Sequence, residues 1–394
     1  RLNERFEELR VNVAAVVEQD YYGSLVGGLF YAFVGLPLLG LTYTPFILGA
    51  VNFLVAIVLF VIVHNTLSRR FIRRFSAAAA IIVVLWGSGL SFAQPIILFG
   101  EQLKYKDKVV YSEQSKYQRI VITQWHNHYW LYINGNQQLS TLDEVLYHEP
   151  LVHPVMELHP YPQDVLVMGG GDGCAVREIL KYPSVRHITL VDLDPAMTRL
   201  GKTHEMLTAL NDSALHHPKV KIYNQDGYTF MQHQASFYDV VIIDLPDPKT
   251  VELGRLYSYE FYQLCRKHLR PQGLLVTQAG SPYYATRAYK CIAQTVEEAG
   301  FSVALLHNQI LTLGEWGWVL GSKAIPQGKL KPALQALHFK DNRTQWLNNE
   351  AMQHITTFGK VLYPNTPAHD SIRSNKIHDP VLYRYYLKGN WNLY

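Results

Sequence analysis

Charged residues are scarce in this chain, and two long stretches have none at all. Lysine, arginine, aspartate and glutamate make up 17% of the 394 residues, and none of them occurs from Tyr21 to His64 or from Phe75 to Gly100. A membrane-spanning helix needs about 20 apolar residues. The two stretches therefore predict three spans, with a break at Gly40–Pro45. The predicted spans cover about residues 22–40, 45–63 and 77–98.

A buried hairpin in a soluble core is the alternative, but charge-free stretches of this length are rare in such cores. A cleaved signal peptide does not fit, because the first span starts too late and a second follows it. Since the chain starts at Arg1 and not at methionine, we also expect further sequence upstream.

Cysteine is scarce as well, and no basic stripe interleaved with aromatic residues is present. The three cysteines, Cys174, Cys265 and Cys291, do not have the spacing of metal ligands and suggest no disulfide framework. We therefore expect a reducing compartment and no metal site. The net charge of +4 is small, so the composition gives no reason to expect nucleic acid as a partner.

Beyond the charge-free stretches, the pattern becomes that of a globular protein. Residues 105–145 alternate apolar with polar residues around a turn at Asn134-Gly135, which predicts a small antiparallel β unit. From residue 164 onwards strands alternate with helices, including a helix at 195–209, and strands near 302–311 and 316–321 close the pattern. Such alternation predicts a parallel, doubly wound sheet.

The predicted fold class is therefore α/β. It is a Rossmann-like doubly wound sheet preceded by a small antiparallel β domain and N-terminal transmembrane helices. The predicted divisions are a connecting helix at 1–20, a transmembrane region at 21–100, a small β-strand domain at 101–143, a Rossmann-like domain at 144–325 and a C-terminal extension at 326–394.

Acidic residues follow the predicted strands one after another. The segment VLVMGGGDG (165–173) ends the first strand in Gly169, Gly171 and Asp172, and Asp192 ends the second. The third strand is followed by Asp226 and Gly227, and the fourth by Asp244 and Asp247. Each acid alone would more often be a helix cap, as we expect for Asp194. Because ligands bind at the carboxyl ends of such strands, the whole series predicts one acidic rim.

An acidic rim predicts a cationic ligand. An acid on the second strand can accept both ribose hydroxyls of a nucleoside, whereas Asp172 in the glycine loop would repel a pyrophosphate and argues against NAD. A sulfonium nucleoside and an amine are two cations that fit. Asp244 and Asp247 could hold the amine and take its proton, leaving a neutral nucleophile for in-line alkyl transfer.

The chain from about Tyr117 to Ser322 resembles the spermidine synthases, the polyamine aminopropyltransferases, and its N-terminal part resembles their bacterial membrane-bound multi-span members. The segments that carry the resemblance are YQRI (117–120), LYING (131–135), DEVLYHEPLVHP (143–154), VLVMGGGDG (165–173), VDLDP (191–195), QDGY (225–228), YDVVIIDLPDP (238–248), LYSYEFY (256–262) and GEWGWVLGS (314–322). The resemblance implies transfer of an aminopropyl group from decarboxylated S-adenosylmethionine to a diamine, usually putrescine. The products would be spermidine and methylthioadenosine.

The resemblance also implies roles for matching residues. Asp244 would be the catalytic base. The amine substrate would be bound by Tyr147, Asp247, Gln278 and Trp316, with His148 and Glu149 as weaker candidates. The donor would be bound by Gln118, Gly169, Gly171, Asp172, Asp192, Asp226 and Gly227. No metal is implied, and a homodimer is expected.

The chain departs from the family pattern at four places. Cys174 replaces a glycine, Asp192 replaces a longer glutamate, and Leu245 with Pro246 replaces two serines. A tryptophan in GEWGW stands where a smaller residue is typical. The last two changes alter the pocket expected for the amine.

Two other functions remain open at this point. An S-adenosylmethionine-dependent N-methyltransferase would use the same sheet, but the carboxylate of its intact donor would face Asp172. A non-catalytic membrane sensor or transporter of polyamines would not need Asp244, and the spans carry no charged residue that marks a transport path.

The side of the membrane is predicted from two conflicting signals. Four arginines, at 69, 70, 73 and 74, favour a cytoplasmic loop, and one further span would place the globular part outside. The nucleoside donor and the reduced cysteines favour the cytoplasm. We expect a multi-pass protein of the cell (inner) membrane, embedded in the lipid bilayer, with a cytoplasmic catalytic domain.

Overall fold

The computed structural model describes residues 2–340, 343–359 and 372–391. The chain forms two compact units, residues 1–116 and 117–394. The division falls inside the segment 101–143 that the sequence pattern assigns to one β domain.

The first unit is helical as far as Gln102 and then forms one strand. Its elements are α1 (Leu2–Phe30), a π-helix (Tyr31–Leu39), α2 (Gly40–Val63), a 3₁₀ turn (His64–Thr66), α3 (Arg69–Ser91), α4 (Ala93–Gln102) and β1 (Lys108–Gln114). Helix α1 runs through the predicted boundary at residue 20 without a break.

Two helical segments of the described chain, Thr42–Thr66 and Arg69–Ser91, are long and apolar enough to cross a membrane, judged by length and composition alone. The sequence predicts three spans. The first, at 22–40, is instead divided between the end of α1 and the π-helix. The backbone turns at Gly40, whose φ of 68° is a conformation that suits glycine.

Helices α2 and α3 pack along each other through aromatic side chains. The rings of Phe60 and Phe75 stack with their centroids 4.2 Å apart. Further along, the indole N–H of Trp86 donates to the carbonyl of Phe46 at 3.1 Å. Most other large apolar side chains of these helices are exposed, which is the surface expected of helices that face lipid.

The second unit begins with a small antiparallel sheet. Its strands within this unit are β2 (Arg119–Trp125), β3 (His128–Ile133) and β4 (Asn136–Ser140). The predicted turn at Asn134-Gly135 joins β3 to β4, and both residues have positive φ, 51° and 79°. This is the conformation of a tight hairpin turn, and the predicted antiparallel unit is confirmed.

The large sheet has seven strands in the order β10-β11-β9-β8-β5-β6-β7. Its strands and helices are α5 (Val145–Leu158), β5 (Asp164–Gly169), α6 (Cys174–Leu180), β6 (His187–Asp192), α7 (Pro195–Thr203), α8 (Glu205–Leu210), β7 (Val220–Asn224), α9 (Gly227–His233), β8 (Tyr238–Asp244), α10 (Val251–Gly254), α11 (Tyr259–His268), β9 (Leu269–Gln278), α12 (Thr286–Glu298), β10 (Ser302–Ile310) and β11 (Gly314–Ser322). Two 3₁₀ turns lie at Ala214–His216 and Arg255–Tyr257.

Strands β5 to β9 run parallel to one another, as predicted. Strand β11 runs antiparallel to both of its neighbours, β9 and β10. Only residues 311–313 connect β10 to β11, and a parallel crossover needs a dozen residues or more. The sheet is therefore mixed. The predicted helix at 195–209 is also divided into α7 and α8, because His204 has extended backbone angles.

The core lies on both faces of this sheet. Along β8, Val240 and Ile242 point to one hydrophobic cluster, whereas Val241 and Ile243 point to the other. Because successive strand residues face opposite sides, a strand buried on both faces reads as the continuous apolar run VVII. The Rossmann-like α/β fold is confirmed.

The described residues after 326 pack into the same unit and do not form a separate extension. Helices α13 (Gln327–Gln335), α14 (Asn349–Ile355) and α15 (Leu382–Leu387) bury Leu330, Met352 and Leu382 in the two clusters. Residues 341–342, 360–371 and 392–394 of the predicted extension lie outside the described residues.

The carboxylate of Glu149 connects α5 to the chain before α14. It accepts the backbone N–H groups of Gln345, Trp346 and Leu347 at 2.6, 3.0 and 2.7 Å, and Glu149 is fully buried. A carboxylate with three backbone donors is a structural group, because each buried donor left without an acceptor is costly.

We expect Glu149→Ala to lower the free energy of unfolding by about 3 kcal/mol, since it leaves buried N–H groups without acceptors. Urea unfolding of the full chain measures this, and hydrogen exchange at residues 345–347 should become faster. Glu350→Ala, at an exposed position of α14, is the matched control. Equal stability of the two variants would contradict the assignment.

Candidate active site

A cavity of about 170 Å³ opens at the carboxyl ends of β5, β6 and β8. The chain passes from β5 to β6 and β7 on one side and then returns to β8 on the other. The cavity therefore lies at the topological switch point of the sheet, where ligands bind in this class of fold. Eleven predicted site residues line it: Gln118, Tyr147, His148, Gly169, Gly171, Asp172, Asp192, Asp244, Asp247, Gln278 and Trp316.

The glycine loop is held against two of the acids. Gly169 pairs with Asp244 in the parallel register, and a Cβ atom at Gly169 would lie 2.1 Å from the carbonyl oxygen of Asp244. The N–H of Gly171 donates to Asp192 Oδ2 at 3.1 Å, and a Cβ there would lie 2.7 Å from the same oxygen. Glycine is required at both positions.

Asp244 ends β8 at the centre of the cavity wall. The phenol of Tyr147, on α5, donates to Asp244 Oδ1 at 2.6 Å. Burial raises the pKa of Asp244 to about 6, and nearby His148 opposes this rise. The carboxylate is therefore ionised near neutral pH and can still accept a proton, which suits a general base.

His148 is a cation beside these acids. Burial alone would lower its pKa, but the hydrogen bond from Nδ1 to Glu144 Oε2, at 2.6 Å, and the nearby negative charges raise it to about 9. Glu144 also accepts two N–H groups of Arg177 at 2.9 and 3.1 Å. His148 Nε2 lies 3.9 Å from Asp172 Oδ1.

Ligand atoms of His148, Asp172 and Asp244 lie within 4.8 Å of one another. Because His148 is itself cationic at neutral pH, it cannot act as a metal ligand there, and the two carboxylates are the groups of this cluster that can accept N–H groups from an ammonium ligand. Asp172 itself accepts the N–H of Cys174 at 2.8 Å. Burial raises the pKa of the Cys174 thiol well above its usual value, so that this departure from the family pattern adds no reactive thiolate.

Asp192 ends β6 and faces the glycine loop. It accepts N–H groups from Gly171 and Asp194 at 3.1 and 2.9 Å. Burial raises its pKa to about 6. Asp194 lines the cavity too, and its side chain caps α7 by accepting the N–H of Ala196, as expected.

The loop after β8 is held through its backbone. Gln278 Nε2 donates to the carbonyl of Leu245 at 2.8 Å and to the phenol oxygen of Tyr257 at 2.5 Å. Tyr257 donates to the carbonyls of Leu245 and Pro246. Asp247 follows in this loop, and its Oδ1 atom is buried with no hydrogen-bond partner among the described residues.

Three predicted residues lie elsewhere in the structure. Asp226 and Gly227 do not line the cavity, and Asp226 caps α9 through Thr229 and pairs with Arg255 at 2.6 Å. Glu149 is the structural carboxylate described above.

Three residues that hold the site were not predicted from the sequence. Glu144 and Tyr257 lie in segments that carry the family resemblance, DEVLYHEPLVHP and LYSYEFY, so their positions could have been found. Tyr386 donates to Asp247 Oδ2 at 2.5 Å, and no pattern in the tyrosine-rich tail points to it.

Five aspartates line the cavity, and no described residue that lines it is lysine or arginine. His148 is the one described lining residue whose pKa is raised enough to keep it cationic at neutral pH. A cavity of this charge at the switch point of a Rossmann-like sheet defines a nucleoside-dependent transferase whose substrates are cations.

Comparisons with known proteins agree with this geometry. Residues 144–331 match the model of the spermine/spermidine synthase domain. The polyamine aminopropyltransferase of Oceanobacillus iheyensis is 36% identical over 397 residues, which cover 100% of this chain and 75% of that protein. Polyamine aminopropyltransferase 2 of Aquifex aeolicus is 36% identical over 394 residues, which cover 98% of this chain and 75% of that protein.

Solved structures that resemble this chain are also spermidine synthases. Spermidine synthase in complex with the transition-state analogue AdoDATO aligns with a TM-score of 0.57 and 27% identity, covering 64% of this chain and 85% of that chain. Spermidine synthase from Thermotoga maritima aligns with a TM-score of 0.56 and 27% identity, over 64% and 84% of the two chains. The chain belongs to the spermine/spermidine synthase family, and it is a polyamine aminopropyltransferase, as the sequence predicts.

We expect Asp244→Asn to stabilise the ligand-free chain while it removes the proposed base. Burial raises the pKa of Asp244 from 3.8 to about 6, so ionising it disfavours the folded state by on the order of 2 kcal/mol at pH 8. The wild type should lose this stability as pH rises from about 4 to about 6, and the variant should lose less, because Asp192 still titrates in this range. Urea unfolding of both proteins at pH 4 and pH 8 tests this, and a wild-type advantage at pH 8 would contradict it.

Proposed function

We propose that this enzyme transfers the aminopropyl group of decarboxylated S-adenosylmethionine to putrescine, producing spermidine and methylthioadenosine. The observation that carries the proposal is the pairing of Tyr147 with Asp244 in a cavity lined by five aspartates. Such a cavity favours a sulfonium donor and a diamine over any anionic substrate.

In the proposed donor site, Asp192 accepts the ribose hydroxyls and Gln118 lies along the aminopropyl chain. Gly169 and Gly171 let the glycine loop lie close to Asp244 and Asp192, and the nucleoside binds against the backbone of this loop. Asp172, beside His148, binds the ammonium group of the aminopropyl chain. An intact S-adenosylmethionine would place a carboxylate there, and repulsion between like charges disfavours it.

Asp226 and Gly227 are assigned to the adenine by family resemblance. Asp226 Oδ1 caps α9 and Oδ2 accepts Arg255, so the carboxylate is already oriented. Each carboxylate oxygen has a second lone pair that can accept the adenine amino group. This assignment requires the adenine to extend beyond the cavity described above.

In the proposed reaction, the amine nitrogen of the diamine attacks the methylene carbon of the aminopropyl chain that is bonded to sulfur. The carbon–sulfur bond breaks, its electron pair stays on sulfur, and methylthioadenosine leaves as a neutral thioether. Asp244 accepts the proton of the attacking amine, with Tyr147 holding the carboxylate in place. Asp247 binds the diamine, Trp316 forms part of its pocket wall, and Gln278 acts indirectly by holding the loop.

We expect purified enzyme to release methylthioadenosine only when decarboxylated S-adenosylmethionine and a diamine are both present. Loss of a general base costs about 10²–10⁴-fold in rate, so Asp244→Asn should turn over at least 100-fold more slowly while it still binds methylthioadenosine. Asp212→Asn, at an exposed position, is the matched control. Turnover with intact S-adenosylmethionine alone would establish a methyltransferase, and binding without turnover would support a sensor.

We also propose that Thr42–Thr66 and Arg69–Ser91 cross the cell (inner) membrane and that the catalytic unit faces the cytoplasm. Their length, apolar composition and exposed surface support the first point. The three free, buried cysteines of the catalytic unit support the second. The homodimer is an expectation from the family resemblance. The molar mass of the purified protein, measured by light scattering, would test it.

We expect the full chain to remain in the membrane fraction after an alkaline carbonate wash, because about 20 apolar residues per span are held by the bilayer. In right-side-out vesicles the catalytic unit should resist added protease, and in inverted vesicles it should be digested. A chain in the wash supernatant would refute membrane insertion. Digestion in right-side-out vesicles would place the catalytic unit outside.

A further inference from the structure

The C-terminal helix contacts an acid of the active site from outside the cavity. Tyr386, on α15, donates its phenol proton to Asp247 Oδ2 at 2.5 Å, and only 3% of its surface is exposed. Asp247 lines the cavity, whereas Tyr386 does not. The phenol therefore occupies one oxygen of the carboxylate, and the other oxygen, Oδ1, is the unpartnered one.

Tyr386 is held firmly by its neighbours. The indole N–H of Trp391 donates to the carbonyl of Tyr386 at 2.7 Å, and the two rings lie 4.6 Å apart. The N–H of Asn390, next to Trp391, donates to the carbonyl of Tyr284 at 2.7 Å. The contacts with Trp391 hold the ring of Tyr386 beside Asp247.

Asn375 connects α15 to the turn that follows the acidic loop, which is the loop after β8 that contains Asp247. Its side-chain amide donates to the carbonyls of Gly254 and Tyr257 at 2.8 and 3.2 Å. Its side-chain oxygen accepts the N–H of Leu382 at 3.2 Å, and Asn375 is 1% exposed. Helix α15 is thus connected to the acidic loop through Tyr386 and to the turn that follows this loop through Asn375.

We propose that Tyr386 is a positioning residue for the amine acceptor. It orients Asp247 so that Oδ1 binds the non-reacting ammonium group of the diamine. The inference rests on the proposed function, because it assigns the second amine of that substrate. Asp244 takes the attacking nitrogen and Asp247 the distant one, so the position of Tyr386 sets the length of diamine that fits. The domain match ends at residue 331, and Tyr386 lies beyond it.

The phenol also favours the ionised form of Asp247. Burial raises the pKa of this carboxyl, and the hydrogen bond from Tyr386, the charge of Lys249 and the amide of Gln278 lower it. Tyr147 and Tyr257 also face it. Removing the phenol should therefore raise the pH below which the amine no longer binds.

The test is Tyr386→Phe in the full chain, with putrescine and decarboxylated S-adenosylmethionine as substrates. We expect KM for putrescine to rise about tenfold through the loss of one hydrogen bond to a charged group. The kcat and the affinity for methylthioadenosine should stay within about twofold, because neither depends on Asp247. The acidic limb of the profile of 1/KM against pH should move to higher pH. Tyr383→Phe, which removes a hydroxyl of the same helix that contacts Arg384, should leave all four quantities unchanged.

A double-mutant cycle separates positioning from a general structural effect. In an Asp247→Asn background, Tyr386→Phe should have little further effect on the affinity for putrescine, measured by calorimetry with methylthioadenosine bound. Trp391→Phe, which removes the donor to the Tyr386 carbonyl, should raise KM in the same direction but less. It serves as the readout if Tyr386→Phe does not fold.

An unchanged KM for putrescine in Tyr386→Phe, or equal losses of kcat and methylthioadenosine affinity, would overturn the inference. Additive effects in the cycle would overturn it as well. Wild-type enzyme that releases no methylthioadenosine with any diamine would instead refute the proposed function, so the two failures are distinguishable.

Discussion

The parallel register of β5 and β8 is the constraint on which the site depends. It places Gly169 directly beside Asp244, at a distance that only a residue without a Cβ atom permits. The glycine turn then brings Asp172 towards His148 and the N–H of Gly171 onto Asp192. The reacting carboxylate and the glycine loop are therefore positioned by the same hydrogen-bonded ladder, and neither can move without the other.

Five carboxylates on one small cavity repel one another, and a network of buried ion pairs next to the cavity reduces this repulsion. Glu144 joins the imidazolium of His148 to the guanidinium of Arg177, and Arg177 continues to Glu178 at 2.8 Å. Glu178 in turn accepts His153 at 2.6 Å. Buried charges of this kind are tolerated when each is paired. The remaining negative charge in the cavity is left for the cationic substrates to neutralise.

The sequence predicted those parts of the molecule that depend on short-range patterns. The apolar runs, the glycine turn and the acids at the strand ends follow from the two-residue period of strands and from the position of ligands in parallel sheets. The sequence did not predict the antiparallel placement of β11, because the alternation of strands and helices was extended to the last two strands, although the short connection between β10 and β11 permits only an antiparallel pair. It also placed three spans where two helices qualify, since hydropathy alone does not reveal a π-helix.

Long-range contacts account for the residues that were missed. Tyr386 lies 139 residues from Asp247 along the chain, and nothing near it in the sequence distinguishes it from the other tyrosines of the tail. Glu149 was taken for a pocket residue from the family resemblance, in the same segment as His148. Neighbouring residues of a helix point about 100° apart, and its carboxylate binds backbone N–H groups at 345–347.

The loop at Leu245 and Pro246 is held by its carbonyl groups, through Tyr257 and Gln278. These contacts do not depend on the identity of the two side chains, although Leu245 also packs against the hydrophobic core. Residues there can be exchanged, as in the replacement of the serines that the family resemblance leads us to expect, while the carbonyl contacts keep Asp244 and Asp247 in place. The backbone attachment makes these two positions an independently variable part of the pocket, so that new amine preferences can arise while the reaction is retained.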